Sequence, residues 1–367
     1  MARKTRAPGA TLDELRSRID KINRELVTLV SERAEVARAV GRLKPPEPGA
    51  VYQPARERQV LDAVVAANPG PLGNDQIRRI FVEIISACRA LEHPIRVAFL
   101  GPEFTYSHEA AREHFGSSVE FSPQPTIAAV FAAPGSGAAD FGVVPIENST
   151  EGSVTLTFDL LIDTTLVIIG EVSIPIRQAL FSKDGDRGAI RKIVSHQQSL
   201  AQCRGYIAAN FGGLEIVAVV SNSHATRRAA EEPGLGAIAS RAAGEAYGLK
   251  LIAENIQDQA QNATRFLVLG SNPVARSGRD KTTIMFAVRD RVGALNEALG
   301  LFARNAINVT KIESRPMRSR PWEYLFFADL VGHRDDPRVR RALRGLERSA
   351  LFLKVLGSYP EGRLAGG

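Results

Sequence analysis

Apolar side chains recur at Leu12, Leu15, Ile19, Ile22, Leu26 and Leu29, and again at Val36, Val40 and Leu43, three and four residues apart by turns. That seven-residue repeat predicts one long helix packed along another helix. A capping box, Thr11-x-x-Glu14, opens it and Pro45-Pro46 closes it. At ~1.5 Å per residue it is roughly 50 Å long. A second helix starts at Gln53-Pro54, and a third runs from Asn74 to Glu92 with the apolar face Ile77, Ile80, Phe81, Ile84, Ile85, Cys88 and Leu91. After His93-Pro94 the period changes. Arg96 to Leu100 reads as a strand, followed by the loop GPEFTYS and a helix from His108 to Phe115. Strands then alternate with helical patterns to about Leu269, near Val143, Val167–Glu171, Ile193–Val194, Ile216–Val220 and Ala237–Ile238. This order predicts an α/β domain with a largely parallel sheet. Ser271 to Asp280 reads as a linker. Beyond it come strand (Thr282–Val288), helix (Ala294–Arg304), strand (Asn308–Glu313), strand (Trp322–Leu330), helix (Pro337–Arg348) and strand (Leu351–Val355), the ferredoxin-like order.

One position breaks the heptad stripe: the repeat calls for an apolar residue at 33 and the chain has Arg33. A guanidinium on a buried seam needs an anionic partner, because an unpaired buried charge is too costly. An internal Arg–Glu pair is the plain alternative to a ligand. Lys44 follows about 20° around the helix and ~16 Å along it, so two long cationic side chains can hold one small anion from both ends. Arg16 lies ~25 Å before Arg33, too far to share that anion within one helix. It can reach the equivalent site of a second, antiparallel copy. If these cations serve one dianion, the helical domain is an intertwined homodimer.

The stretch VVPIENSTEGSV, Val143 to Val154, suits an anion better than a core. A buried strand is expected to end at Pro145, with Glu147 to Gly152 forming a polar turn at the N-terminus of the helical pattern Val154, Leu156, Phe158, Leu160, Leu161. Similar residues gather at other strand ends: Thr105-Tyr106-Ser107, Ser195-His196-Gln197-Gln198, Ser221-Asn222-Ser223 and Asn262-Ala263-Thr264-Arg265-Phe266. Hydroxyls and amides collected there predict a polar cleft for a carboxylate ligand. Neither a dinucleotide fingerprint nor a phosphate-binding Gly-Lys-Ser/Thr loop nor a metal-ligand cluster occurs in the sequence.

Composition narrows the class. The 367 residues suffice for two or three domains, and 44% hydrophobic content fits a globular protein. No apolar run reaches the ~20 residues of a membrane span. The basic N-terminus lacks a signal-peptide apolar region, and Cys88 and Cys203 sit in helical apolar patterns as core residues, so a cytoplasmic protein is expected. The net charge of +7 does not make a nucleic-acid binder: Arg338, Arg340, Arg341, Arg344 and Arg348 punctuate one amphipathic helix as a solvated face.

Three helices bearing Arg16, Arg33, Lys44, Arg56-Glu57 and Glu92 in this order resemble the all-helical chorismate mutase domain. The resemblance implies an intertwined three-helix dimer over residues 10–93 that binds chorismate. In it Arg16 (from the partner) and Arg33 hold the carboxylates, Lys44 and Glu92 address the ether oxygen, and Arg56 and Glu57 bind the ring hydroxyl and order the site. A Claisen rearrangement needs only a folded substrate and a cation beside the oxygen where negative charge grows. A carboxyl at 92 donates only when protonated, so mutase activity is expected to fall as pH rises. Gln53 stands where some members have an acid. GPEFTYSHEAA, VVPIENSTEGSV, SHQQSLAQC and NATRF together resemble prephenate dehydratase over residues 95–271. The implied fold is two α/β subdomains like a type II periplasmic binding protein, with the site in the hinge. Its implied chemistry is decarboxylation of prephenate with loss of the ring hydroxyl. Thr264 is the implied proton donor, Asn148 and Gln202 assist, and Thr105, Ser107, Ser149, Thr150, Ser195, His196 and Arg265 line the substrate site or orient its loop. Val292-Gly-Ala-Leu-Asn296 and Glu313-Ser-Arg-Pro316 resemble ACT regulatory motifs over residues 280–360. They imply an L-phenylalanine site built from Gly293, Ala294, Leu295, Asn296, Glu313, Ser314, Arg315 and Pro316 where two such α+β domains pair. No cofactor and no metal is implied.

Two departures stand out. Phe104 replaces the family's usual Gly, which is expected to rebuild its loop, because Phe avoids backbone angles that suit Gly. Gln197 replaces a customary Pro, which removes a rigid φ. If either closes the site, the chain is instead a catalytically inactive amino-acid sensor on a helical dimer. A transcriptional regulator, the third reading, lacks helix-turn-helix spacing.

Overall fold

A computed structural model describes residues 11–43, 52–316 and 324–362. The heptad segment is α1 (Leu12–Leu43), opened as expected by Thr11 and Glu14, each accepting the other's backbone N–H at 2.7 and 3.3 Å. Two further helices, α2 (Pro54–Ala66) and α3 (Asn74–Ala90), pack on each other, and α3 also touches α1. No residue of α1 is buried. Its stripe, Leu15, Ile19, Ile22, Leu26, Leu29, Val36 and Val40, stands 45–65% exposed.

The middle domain has two lobes. The first contains β1 (Arg96–Leu100), α4 (Tyr106–Phe115), β2 (Glu120–Gln124), α5 (Ile127–Gly135), β3 (Phe141–Asn148), β4 (Gly152–Ser153), α6 (Thr155–Asp163) and β5 (Val167–Pro175). The second contains β6 (Ala179–Ser182), β7 (Lys192–His196), α7 (Gln197–Gln202), α8 (Arg204–Phe211), β8 (Glu215–Val219), α9 (Asn222–Glu231), β9 (Leu235–Ala239), α10 (Arg241–Ala246) and β10 (Lys250–Ala253). The chain then returns to the first lobe as β11 (Ala263–Gly270), so two crossings make the hinge. Sheet orders are β2-β1-β3-β11-β5 and β10-β6-β9-β7-β8. Both sheets are mixed rather than largely parallel, since β11 runs antiparallel to β3 and β5, and β6 to β9 and β10. Nor does Pro145 end its strand. The ladder continues to Asn148 through a register shift opposite Arg265 and Phe266, an irregularity that accommodates the missing N–H.

The C-terminal domain contains β12 (Asp280–Ala287), α11 (Ala294–Arg304), β13 (Val309–Pro316), β14 (Tyr324–Val331), α12 (Pro337–Ser349) and β15 (Phe352–Pro360). Its sheet order is β13-β14-β12-β15. One sheet face covers α11 and α12. The other buries Met285, Leu325, Phe327, Leu356 and Tyr359 against Phe158, Leu161, Leu267 and Leu269 of the first lobe. The approach is close: a Cβ on Gly357 would lie 2.1 Å from the carbonyl oxygen of Ile168.

The helical domain is also tied to the first lobe. Tyr52 is buried against Phe115 and Phe141, and its hydroxyl lies 2.5 Å from His114 Nε2. Burial, with the nearby Arg89 guanidinium adding to it, pushes His114 down to about 3. Above the unfolded value near 6.5 both states are neutral. Below it the unfolded chain takes up a proton that folded His114 refuses, so stability falls by up to about 1.4 kcal/mol per pH unit. The melting temperature, followed by circular dichroism, is expected to drop between about pH 7 and 5. His114→Gln, which still accepts from Tyr52, should flatten that slope; an unchanged slope would assign the effect elsewhere.

Candidate active site

The hinge gathers the polar group. Asn148, last residue of β3, lies directly across from Thr264 on β11, and its Nδ2 donates to Thr264 Oγ1 at 2.9 Å and to Asn262 Oδ1 at 2.8 Å. Its Oδ1 accepts from the backbone N–H of Thr150 and Glu151 at 2.9 and 3.0 Å. With both ends of the amide engaged, its orientation is set, and Thr264 is the acceptor in the pair. Ser149 and Thr150 do not cap a helix, since α6 begins five residues beyond Thr150. They fasten the return crossing instead: Ala263 N donates to Ser149 Oγ at 3.0 Å, and Thr150 Oγ1 to Gln259 Oε1 at 3.1 Å.

From the second lobe, Gln198 Nε2 and Gln202 Nε2 donate to the Glu151 carboxylate at 2.6 and 3.1 Å, and Gln178 on the hinge donates to Gln202 Oε1 at 3.2 Å. Glu151 thus joins the two lobes across the cleft. Its place in the sequence suggested only a helix-dipole partner. His196 accepts from Gln198 N at 3.4 Å as the cap of α7, and Gln197 occupies the first helical position, where Pro is favoured but not required. Ser195 is not brought to the cleft surface. It is fully buried, donating to Ile238 O at 2.6 Å and lying 3.0 Å from Asn222 Oδ1. Thr105 caps α4, and Ser107, the second residue of that helix, is buried.

Phe104 adopts the left-handed angle itself, at φ +64°, with its N–H on His108 Nδ1 at 3.0 Å and its ring edge-on to Tyr247 of the other lobe. Those two contacts hold an angle that a bulky residue rarely takes.

Arg265 turns away from Thr264, as strand alternation requires. It pairs with Glu147 at 3.1 Å, Glu171 at 2.6 Å and, from the C-terminal sheet, Asp329 at 2.6 Å. The structure therefore places it behind the cleft rather than in it. Burial pushes the Glu147 and Glu171 carboxyls up, but Lys311 and Arg265 around the first, and Arg265 and Lys281 around the second, outweigh it. Both sit below the ordinary carboxylate range.

In the helical domain Arg33 Nη1 is buried without a hydrogen-bond partner among the described residues, whereas Arg16 is 67% exposed beside Asp13. Glu92 lies against α1 at Gly41, where a Cβ would come within 2.8 Å of its Cγ. Lys44 falls outside the described residues. Arg56 is exposed, and Glu57 is engaged by Arg89 at 2.6 Å. Arg89, which no pattern in the sequence singles out, is buried. It also donates to Phe115 O at 2.5 Å, clamping the helical domain to the first lobe.

In the C-terminal domain Gly293 takes φ +84° at the start of α11, with Ala294 buried, Leu295 partly buried and Asn296 exposed. On β13, Ser314 and Pro316 are exposed while Glu313 and Arg315 turn toward the middle domain.

A hinged cleft walled by amides and hydroxyls, carried between a helical domain whose half-buried Arg33 keeps one guanidinium nitrogen unbonded among the described residues and a ferredoxin-like module, defines a multidomain enzyme for small anionic substrates. Family models agree domain by domain: chorismate mutase type II matches residues 15–93, prephenate dehydratase 97–274 and the ACT domain 282–348. A bifunctional chorismate mutase/prephenate dehydratase of Stutzerimonas stutzeri is 45% identical over 95% of this chain and 98% of its own. Its counterpart in Aquifex aeolicus is 42% identical over 96% and 99%. Among solved structures, a prephenate dehydratase from Arthrobacter aurescens in complex with L-Phe superposes with a TM-score of 0.67 at 33% identity, covering 72% of this chain and 90% of that one. The chain belongs to the bifunctional chorismate mutase/prephenate dehydratase family.

Proposed function

We propose that residues 10–93 rearrange chorismate to prephenate, that residues 95–271 convert prephenate to phenylpyruvate, and that residues 280–360 bind L-phenylalanine as a feedback inhibitor. The observation that carries this reading is the Asn148–Thr264 pair at the hinge, with its amide fixed from both ends. In the dehydratase step the bond to the ring carboxylate breaks and CO2 leaves. Its electron pair enters the ring, and the ring C–O bond breaks as hydroxide departs, hydrogen-bonded by the Thr264 hydroxyl, which relays a proton from solvent so that water leaves and Thr264 ends as it began. Aromatisation drives the step, so the protein supplies position and one hydrogen bond. In the mutase step Arg33, with Arg16 of a second copy, holds the carboxylates, and Lys44 and Glu92 meet the ether oxygen. The apolar stripe of α1, bare in one chain, supports an intertwined dimer whose helices cover each other.

Purified protein mixed with chorismate is expected to consume its absorbance and yield phenylpyruvate on base treatment. Binding of phenylalanine with neither product would favour the sensor alternative. Glu92→Ala should lower the mutase rate by at least about tenfold while the dehydratase rate holds; an unchanged mutase rate would remove Glu92 from the ether oxygen.

A further inference from the structure

The C-terminal sheet grips the back of the strand pair that carries Asn148 and Thr264. From the inward face of β13, Lys311 pairs with Glu147, Glu313 Oε2 accepts from Ser153 Oγ at 2.8 Å, and Arg315 Nη2 donates to Asp159 Oδ1 at 3.1 Å. From the neighbouring strand, Asp329 pairs with Arg265 at 2.6 Å. The cross-strand register sets Thr264 opposite Asn148 and Arg265 opposite Glu147. Because strand side chains alternate, the Asn148–Thr264 pair occupies one face and the Glu147–Arg265 pair the other. The first face carries the dehydratase chemistry; the second is held by cations and a carboxylate that belong to another domain.

We infer that this seam, Lys311 and Asp329 on Glu147 and Arg265 with Glu313 and Arg315 beside them, positions the Asn148 loop and transmits effector occupancy of the C-terminal domain to the dehydratase cleft. The transmission half rests on the phenylalanine reading above. The geometry suits a relay because β13 is a single element with two assignments. Its outward residues Thr310, Ile312, Ser314 and Pro316 are exposed on a sheet edge, open to a ligand or to a second C-terminal domain. Its inward residues at 311, 313 and 315 hold three points of one loop and helix. A shift of the strand therefore acts on Glu147, Ser153 and Asp159 together. The contacts are also part-buried, so their geometry matters more than that of solvated pairs. Lys311 is the informative position, because it holds Glu147 while touching neither Asn148 nor Thr264.

The experiment uses the full chain with Lys311→Met and Lys311→Arg. Phenylalanine binding is measured by calorimetry, inhibition by the dehydratase rate, and folding by the mutase rate of the same sample. Lys311→Met is expected to bind phenylalanine and keep its mutase rate. Its inhibition factor should fall from the usual coupling of roughly 5- to 150-fold to about 2-fold or less. Lys311→Arg, which keeps the charge, should restore inhibition. Full inhibition in Lys311→Met with phenylalanine bound would overturn the relay. In the absence of effector, hydrogen exchange at residues 147–153 should quicken in Lys311→Met and stay slow in Lys311→Arg. This arm separates the two readings. A wild type indifferent to phenylalanine would refute the effector reading, whereas unchanged exchange in Lys311→Met would refute the seam.

Discussion

Thr264→Ala is expected to lower the dehydratase turnover by about 10²–10³-fold, the size typical of removing one positioned donor at a departing oxygen. The mutase rate of the same chain should not change. A free threonine hydroxyl is a poor acid, so the effect must come from where the group is held. Asn148 Nδ2 donates to Thr264 Oγ1, which uses one lone pair of that oxygen and leaves its own proton for an acceptor in the cleft. The amide cannot rotate to offer its oxygen instead, because that oxygen already accepts two backbone N–H groups. Thr264→Ser, which keeps the hydroxyl, should recover most of the rate. Because the lost hydrogen bond forms as hydroxide leaves, turnover should fall far more than KM rises. A loss below about tenfold would show that another group delivers the proton.

The same pair shows what could be read from residues in order. Period-two alternation places Thr264 and Arg265 on opposite faces of one strand, so one of them had to leave the cleft. Which one, and toward what, depended on a sheet packed behind β11 whose arrival no local pattern announces. The long helix was legible because its repeat extends over four heptads and its caps are explicit. Arg89 was not, because a charge within an apolar face looks the same whether it is solvated or clamps a neighbouring domain. At Phe104 the steric preference is real, but two tertiary contacts outweigh it and the residue takes a left-handed angle. At Pro145 the missing N–H does not end the strand, because a register shift lets the ladder continue to Asn148. Glu151 was visible only as one acid among several in a polar turn, since its partners Gln198 and Gln202 come from a lobe nearly fifty residues away. Local chemistry thus marked loops that meet at the hinge, while long-range packing decided where each side chain of those loops points.

Arg33→Ala is expected to reduce mutase activity by on the order of 10²–10³-fold, because it removes a buried, charge-assisted contact to a substrate carboxylate. Arg33 is suited to this role: one nitrogen of its guanidinium is buried and has no hydrogen-bond partner among the described residues. A buried cation without a protein partner is costly unless a ligand supplies the anion. Arg16→Ala should cost a similar factor even though Arg16 is largely exposed and lies about 25 Å from Arg33 along α1. The distance is the informative part, since it forbids both arginines of one chain from holding one chorismate. Mixing the two inactive variants after co-denaturation or co-expression should therefore restore activity. In a mixed dimer one site receives Arg33 from the Arg16→Ala chain and Arg16 from the Arg33→Ala chain, while the other site lacks both. Random pairing makes about half the dimers mixed, so recovery should approach about a quarter of the wild-type rate. An unshared site predicts no recovery at all, because each chain would carry its own defect. The dehydratase rates of both variants and of the mixture should stay at the wild-type level, which ties any loss to the helical domain rather than to folding of the whole chain.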